Sequence, residues 1–173
     1  MRALLPLATL LAAIGLLSAC GKPASEQPQA PAGASAPTSE PVSPAPPPLT
    51  DAQKKSMLET LPAAYQNADL DNGQAKFALC KSCHTVVQDG GNMVGPNLYG
   101  VFGRKAGTSA GFAYSDGLKT SAIVWDAASL DKWITNPRAL IPGTKMTYIG
   151  MSDPKDRTDV IAYLKVATGT PPG

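Results

Sequence analysis

A chain of 173 residues has room for one ordinary domain and some extension. Its formal charge is only +2, and its Lys and Arg residues are scattered, with no run longer than the pairs Lys54-Lys55 and Arg104-Lys105. The absence of a basic block or an aromatic-interleaved stripe argues against a nucleic-acid partner. Three cysteines (Cys20, Cys80 and Cys83) are an odd set for a disulfide scaffold, and a single histidine, His84, excludes any site needing two imidazoles from one chain.

Residues 1–19 read as a targeting signal. Arg2 gives a positive start, Leu4 to Leu17 is almost wholly apolar, and small residues follow. The apolar run is too short to be a membrane-spanning helix. Leu17-Ser18-Ala19-Cys20 resembles the bacterial lipobox. That resemblance implies diacylglycerol transfer to the Cys20 thiol, cleavage before it, and acylation of the new amine. A plain signal with an incidental cysteine, or an uncleaved anchor, is the competing reading. Two or more acyl chains anchor stably where one does not.

Residues 20–50 carry the lipidation candidate and a tether. Nine of the thirty residues from Gly21 to Thr50 are proline, and only Lys22, Glu26 and Glu40 are charged. Such a segment buries too little apolar area to offset its ordering entropy, and its prolines favour extended, fairly stiff conformations. Pro44-Ala45-Pro46-Pro47 also fits a proline-rich docking ligand, a pattern common by chance. At residues 51–67 the composition changes. Thr50 or Asp51 can cap a short helix through about Thr60, limited by Pro62. With only Met57, Leu58 and Leu61 to bury, it reads as a helical extension on the main domain or as more linker.

The main domain covers residues 68–173 and shows three helices. Asp71 or Asn72 can cap one that runs through Phe77 and Leu79 to the cysteines. Asp126 can cap a second, whose Leu130, Trp133 and Ile134 share one face and which Asn136-Pro137 ends. Asp153 followed by Pro154 opens a third, striped by Val160, Ile161, Leu164 and Ala167 and closed by Gly169. Thr85 to Val124 is glycine-rich and shows no alternating strands. The fold class is therefore all-α, with a few helices and long loops that need something to wrap around.

Cys80-Lys81-Ser82-Cys83-His84 is the spacing of covalent haem attachment. Two thiols one helical turn apart can each add to a haem vinyl group, and the adjacent imidazole can turn onto the iron. A thioredoxin-like dithiol lacks its strand and helix context here, and a zinc site lacks a fourth neighbouring ligand. One covalent haem c is thus expected. A second axial ligand must come from Met57, Met93, Met146, Met151 or a lysine. Met146 is favoured because Pro142 stiffens its loop and Gly143 permits close backbone approach.

In sequence order, Cys80 to His84, Gly95-Pro96-Asn97-Leu98, Phe102-Gly103-Arg104, Asn136-Pro137 and Pro142 to Met146 resemble the class I cytochromes c of the mitochondrial type. Asp159 to Lys165 resembles the family's final helix, and the likeness covers about residues 70–168. It implies His84 and Met146 as axial ligands and Pro96 as the carbonyl that fixes the His84 tautomer. It also implies Arg104, Tyr114, Trp125, Thr144 and, less directly, Asn97 around the haem propionates. Gly73 and Phe77 match first-helix residues that pack on the last helix. Trp133 departs from the pattern, standing where mitochondrial members usually have tyrosine.

The function implied is a monomeric, membrane-tethered carrier of single electrons in the respiratory chain, outside the cytoplasmic membrane of a bacterium. Its expected partners are the membrane, through Cys20, and redox complexes: a cytochrome bc complex or dehydrogenase as donor and a terminal oxidase or reductase as acceptor. No nucleic acid and no small-molecule substrate is expected. Lys81, Lys105, Lys119, Lys145 and Lys155 are candidates for a steering ring around the haem edge, with a dispersed solvated surface as the alternative. The rival class is a haem peroxidase or gas-binding protein, which would need Met146 to dissociate readily.

Overall fold

The computed structural model describes residues 48–170. The predicted signal, Cys20 and nearly all of the tether lie outside the described residues. Those described form seven helices: α1 (Asp51–Glu59), α2 (Ala63–Gln66), α3 (Leu70–Lys81), α4 (Asp116–Lys119), α5 (Ala127–Thr135), α6 (Pro137–Leu140) and α7 (Pro154–Thr168). Among them there is one isolated antiparallel bridge, Lys105 with Val124, and no strand. The all-α class follows.

Local chemistry accounts for the helix ends. The Asp126 side chain accepts from Ser129 N while the Ser129 hydroxyl accepts from Asp126 N, a reciprocal cap at 2.7 and 2.8 Å. Asn136 closes α5 and immediately caps α6, accepting from Ala139 N at 3.1 Å with Pro137 at the first helical position. Asp153 caps α7 through Lys155 N and Asp156 N. The start of α3 differs from expectation. Its cap is Asp69, which accepts from Asp71 N and Asn72 N, so both anticipated caps lie inside the first turn.

The organising contact is the crossing of α3 over α7. Gly73 meets α7 backbone to backbone, and a Cβ there would overlap the Asp159 carbonyl. That close approach, not a turn, is what glycine provides. One turn later Phe77, fully buried, sets its ring 5.4 Å from that of Tyr163. α5 joins the same core through Leu130, Trp133 and Ile134, and Arg157 of α7 holds Asp131 of α5 at 2.8 Å.

Asp159 is a buried carboxylate at this crossing, with 2% of its surface exposed. Its oxygens accept from Asp69 N at 3.0 Å, from Asn72 Nδ2 at 2.7 Å and from Lys155 Nζ at 2.6 Å. Burial works to raise its pKa, but the Lys155 ammonium, the Asn72 amide and the Asp69 N–H together hold it below the ordinary carboxylate range. A depressed folded-state pKa gives stability that is present above the unfolded pKa and lost as pH falls through the folded one. Asp159→Asn is therefore expected to lower stability near neutrality by about 2 kcal/mol and to flatten the acid limb of the stability curve. Urea melts from neutral pH down to about pH 3 read both effects.

The segment 51–67 is part of the folded unit. Thr50 and Gln53 form a capping box at the start of α1, which runs into Met57 and Leu58. Met57, Leu58 and Leu61 are buried, and both α1 and α2 pack on α7. Each such apolar side chain contributes roughly 1.5–3 kcal/mol relative to exposure, enough to hold a helix with no long amphipathic stripe.

Candidate functional site

The Cys80–His84 motif sits where α3 unwinds. Cys80 and Lys81 form its last turn, Ser82 is the cap, and Cys83 N and His84 N both donate to the Cys80 carbonyl at 3.0 Å. This tight turn presents both sulfurs and the imidazole to one cavity. Burial, and secondarily Cys83, pushes the Cys80 thiol up to about 11. The loop that follows folds back over the motif, with Gly95 N donating to Cys83 O and Leu98 N to Thr85 O, each at 2.8 Å.

The His84 ring is fixed by that loop. Its Nδ1 lies 2.7 Å from the Pro96 carbonyl, which can only accept, so the proton belongs on Nδ1 and Nε2 keeps a free lone pair. Burial lowers the imidazole pKa, against the Pro96 carbonyl, which favours the charged form. Gly95 is buried flat against the ring, and a Cβ there would overlap it.

The rest of the cavity wall is apolar. Phe77, Leu98, Val101, Leu118, Leu130, Ile134, Val160 and Leu164 converge on it from helices and loops far apart in sequence. Trp125 and Trp133 also line it, with ring centroids 5.6 Å apart. Arg104, Tyr114 and Ser115 add polar groups to the wall, as do Lys145, Thr147 and Tyr148. The Arg104 guanidinium is oriented by two carbonyls, Tyr99 O at 3.1 Å and Asn97 O at 2.9 Å, and burial works against its charge. Ser115 Oγ is buried without a hydrogen-bond partner.

These features fit haem c. Two free thiols and a neutral imidazole stand at one side, a deep apolar slot receives the macrocycle, and an orphaned hydroxyl, a phenol and a guanidinium await anionic carboxylates. Of the methionines in the described residues, only Met146 belongs to the wall. Met57 is buried among α1 and α7, Met151 is buried with its N–H on Ile134 O, and Met93 is half exposed. Gly143 has φ 78°, so the turn before Met146 itself requires glycine, and nothing in the protein approaches it.

Of the residues anticipated from sequence, the fold brings Cys80, Cys83, His84, Pro96, Arg104, Tyr114, Trp125, Trp133 and Met146 to one cavity. Two stand differently. Asn97 turns its amide to the Val87 and Gly90 carbonyls and its oxygen to Tyr99 N, bracing the loop instead of facing the cavity. Its contribution is the main-chain carbonyl that orients Arg104. The Thr144 hydroxyl accepts from Met146 N at 3.2 Å and supports that loop from outside the wall. Ser115 was not anticipated, because one serine in a loop carries no pattern. Its adjacency to Tyr114 is the only signal available. Cys20 lies outside the described residues.

Comparisons with known proteins agree with this geometry. Residues 70–168 match the family model for cytochrome c. The chain is 46% identical over 107 residues to cytochrome c2 of Rhodomicrobium vannielii, covering 62% of this chain and 86% of that protein. It is 48% identical over 89 residues to cytochrome c of Ginkgo biloba, covering 51% and 79%. Among solved structures, cytochrome cH from Methylobacterium extorquens aligns with a TM-score of 0.53 and 48% identity, over 57% of this chain and 98% of that one. The α1 segment lies outside the family match.

Proposed function

The chain belongs to the cytochrome c family, whose members carry one covalent haem c and transfer electrons, and from that premise we propose that it is a lipid-tethered carrier on the extracytoplasmic face of a bacterial membrane. It would shuttle single electrons from a cytochrome bc complex or dehydrogenase to a terminal oxidase or reductase. The carrier role itself does not depend on the tether. The observation that carries the site assignment is the convergence of Cys80, Cys83, His84 and Met146 on one apolar cavity.

When bound, haem c supplies an iron that takes up and returns one electron. The protein's own groups do the rest. Cys80 and Cys83 fix the cofactor at two points. His84 offers Nε2, kept unprotonated by the Nδ1–H bond to Pro96 O. Met146 would hold the iron through its sulfur, and a thioether favours the ferrous state. Arg104, Tyr114 and Ser115 line the same cavity and would donate to the propionates, and the aliphatic wall would exclude water. Were His84 and Met146 both to hold the iron, no ligand position would be left for a substrate, as a carrier requires and a peroxidase or gas sensor does not.

The tether rests on Leu17-Ser18-Ala19-Cys20 and the proline-rich run behind it. Residues 21–50 would span up to roughly 90 Å if polyproline-like and about 30 Å as a coil. Either range lets the domain reach neighbouring complexes in one membrane at raised effective concentration. A soluble form, made with a non-lipoprotein signal and Cys20→Ser, is expected to keep its spectrum and potential but to support several-fold slower oxygen consumption per haem in membranes. An unchanged rate would remove mobility in the membrane as the tether's purpose.

A further inference from the structure

The loop that follows Met146 is held at its far end by a buried arginine. Arg157 of α7, with 12% of its side chain exposed, donates through Nη1 to the carbonyls of Met151 and Ser152 at 2.9 and 2.8 Å. Its Nε donates to an Asp131 carboxylate oxygen on α5 at 2.8 Å. Met151 N donates to Ile134 O at 2.9 Å, and a Cβ on Gly150, whose φ is 112°, would overlap the Thr135 carbonyl. The loop is thus fastened where α5 and α7 meet. On the near side, the Thr144 hydroxyl accepts from Met146 N and Lys145 Nζ donates to Ala113 O. Met146 lies between these two anchorages in the chain.

The far anchorage depends on Asp131. Its carboxylate fixes Nε, and the planar guanidinium then fixes the direction of Nη1 toward the two carbonyls. Asp131 in turn lies beside the helical extension. Tyr65 of α2 brings its hydroxyl to 3.5 Å from the carbonyl of Ala127, one turn before Asp131 on the same face of α5. Burial first, then the Asp131 carboxylate, raises the Tyr65 pKa, while the Arg157 guanidinium works the other way. The phenol therefore stands within the field of both ions. Tyr65 packs on the core, and α2 packs on α7. Both α1 and α2 lie outside the residues that match the family model. Water reaching the ion pair would weaken it, since a solvent-exposed pair contributes little.

We propose that the extension is a positioning element for the Met146 loop: Tyr65 shields the Asp131–Arg157 pair from water, and the pair holds the Met151 and Ser152 carbonyls so that the Met146 sulfur stays at the cavity. This rests on the reading of Met146 as an axial ligand. Tyr65, Asp131 and Arg157 do not line the cavity, so each acts through the loop and not on the iron. Loosening the pair makes local opening of the loop more frequent, and a competing nitrogen ligand then enters faster.

The test uses ferric full-length holoprotein with imidazole in excess as the competing ligand. Loss of the far-red band that reports iron–sulfur bonding gives the rate of replacement. Asp131→Ala should raise that rate by about tenfold, as expected when one charge-assisted contact is lost, and Tyr65→Ser by about threefold or more. The double variant should be no faster than Asp131→Ala alone, because both changes act through one pair. Tyr65→Phe, which keeps the ring, should stay within about twofold of the parent. Asp159→Asn is the control. Its partners are Asp69, Asn72 and Lys155, away from the loop, so it should exchange at the parent's rate although urea melts show it less stable. A parent-like rate in either Asp131→Ala or Tyr65→Ser would overturn the proposal. So would an acceleration in Asp159→Asn that matches theirs at equal loss of stability, because the effect would then be global. Met146→Ala tests the underlying reading separately: if it retains the far-red band, Met146 is not the ligand, and the proposal falls with that reading.

Discussion

Replacing Cys80 and Cys83 together by Ala is expected to leave a chain that neither holds haem covalently nor folds. The reason lies in the wall. Phe77, Val101, Leu118, Leu130, Val160 and Leu164 come from four helices and a loop, and all of them line the cavity. Left empty, a cavity of about 210 Å³ would cost about 5 kcal/mol at ~24 cal/mol per Å³. That is an upper figure, since the cavity opens to solvent, but it is comparable with the whole stability of a small domain, ~5–15 kcal/mol. Ser115 Oγ and the Arg104 guanidinium would add their own unmet polar demand. Haem-stained denaturing gels and far-ultraviolet circular dichroism after extracytoplasmic expression read the two losses separately. A haem-free double variant with the parent's helical signal would show that the protein walls suffice without the cofactor.

The second large effect concerns Met146. Met146→His should keep a low-spin haem and lower the reduction potential by an amount on the order of 0.2 V, within the ~0.8 V span that axial ligands command. Imidazole stabilises ferric iron better than a thioether does. The substitution is placed in a loop that tolerates it, since Met146 is half-buried and its backbone is held by the Thr144 hydroxyl independently of the side chain. Redox titration of the holoprotein gives the answer. An unchanged potential would take the ligand role from Met146 and pass it to Lys145, which also lines the cavity, or to a methionine outside the wall.

The legible parts of this protein were those whose signals are contiguous. Cys80 to His84 states its chemistry in five residues, and α5 and α7 announce themselves by a cap, a stripe and a stop within one short window. The start of α3 was not decidable in that way. Asp69, Asp71 and Asn72 are all good caps, and the choice falls to a partner ninety residues away, since Asp69 N–H is already committed to buried Asp159. The four-residue helices α2, α4 and α6 are too short to display a period. The cavity wall was only partly visible, because Val101, Leu118 and Leu130 look like ordinary core until the fold gathers them. Asn97 and Thr144 show the converse: their segments are matched by motif, yet their side chains serve the loops that place other residues.

The attachment of α1 and α2 to α7 has a mechanical meaning. Any pull transmitted from residues upstream enters the folded domain at Thr50. It is borne first by the contacts of Met57, Leu58 and Leu61, and then by α2. Among the described residues, none before Phe77 contributes to the cavity wall. A load large enough to detach α1 and α2 from α7 would thus be met before it reached Phe77, the first described residue of the wall.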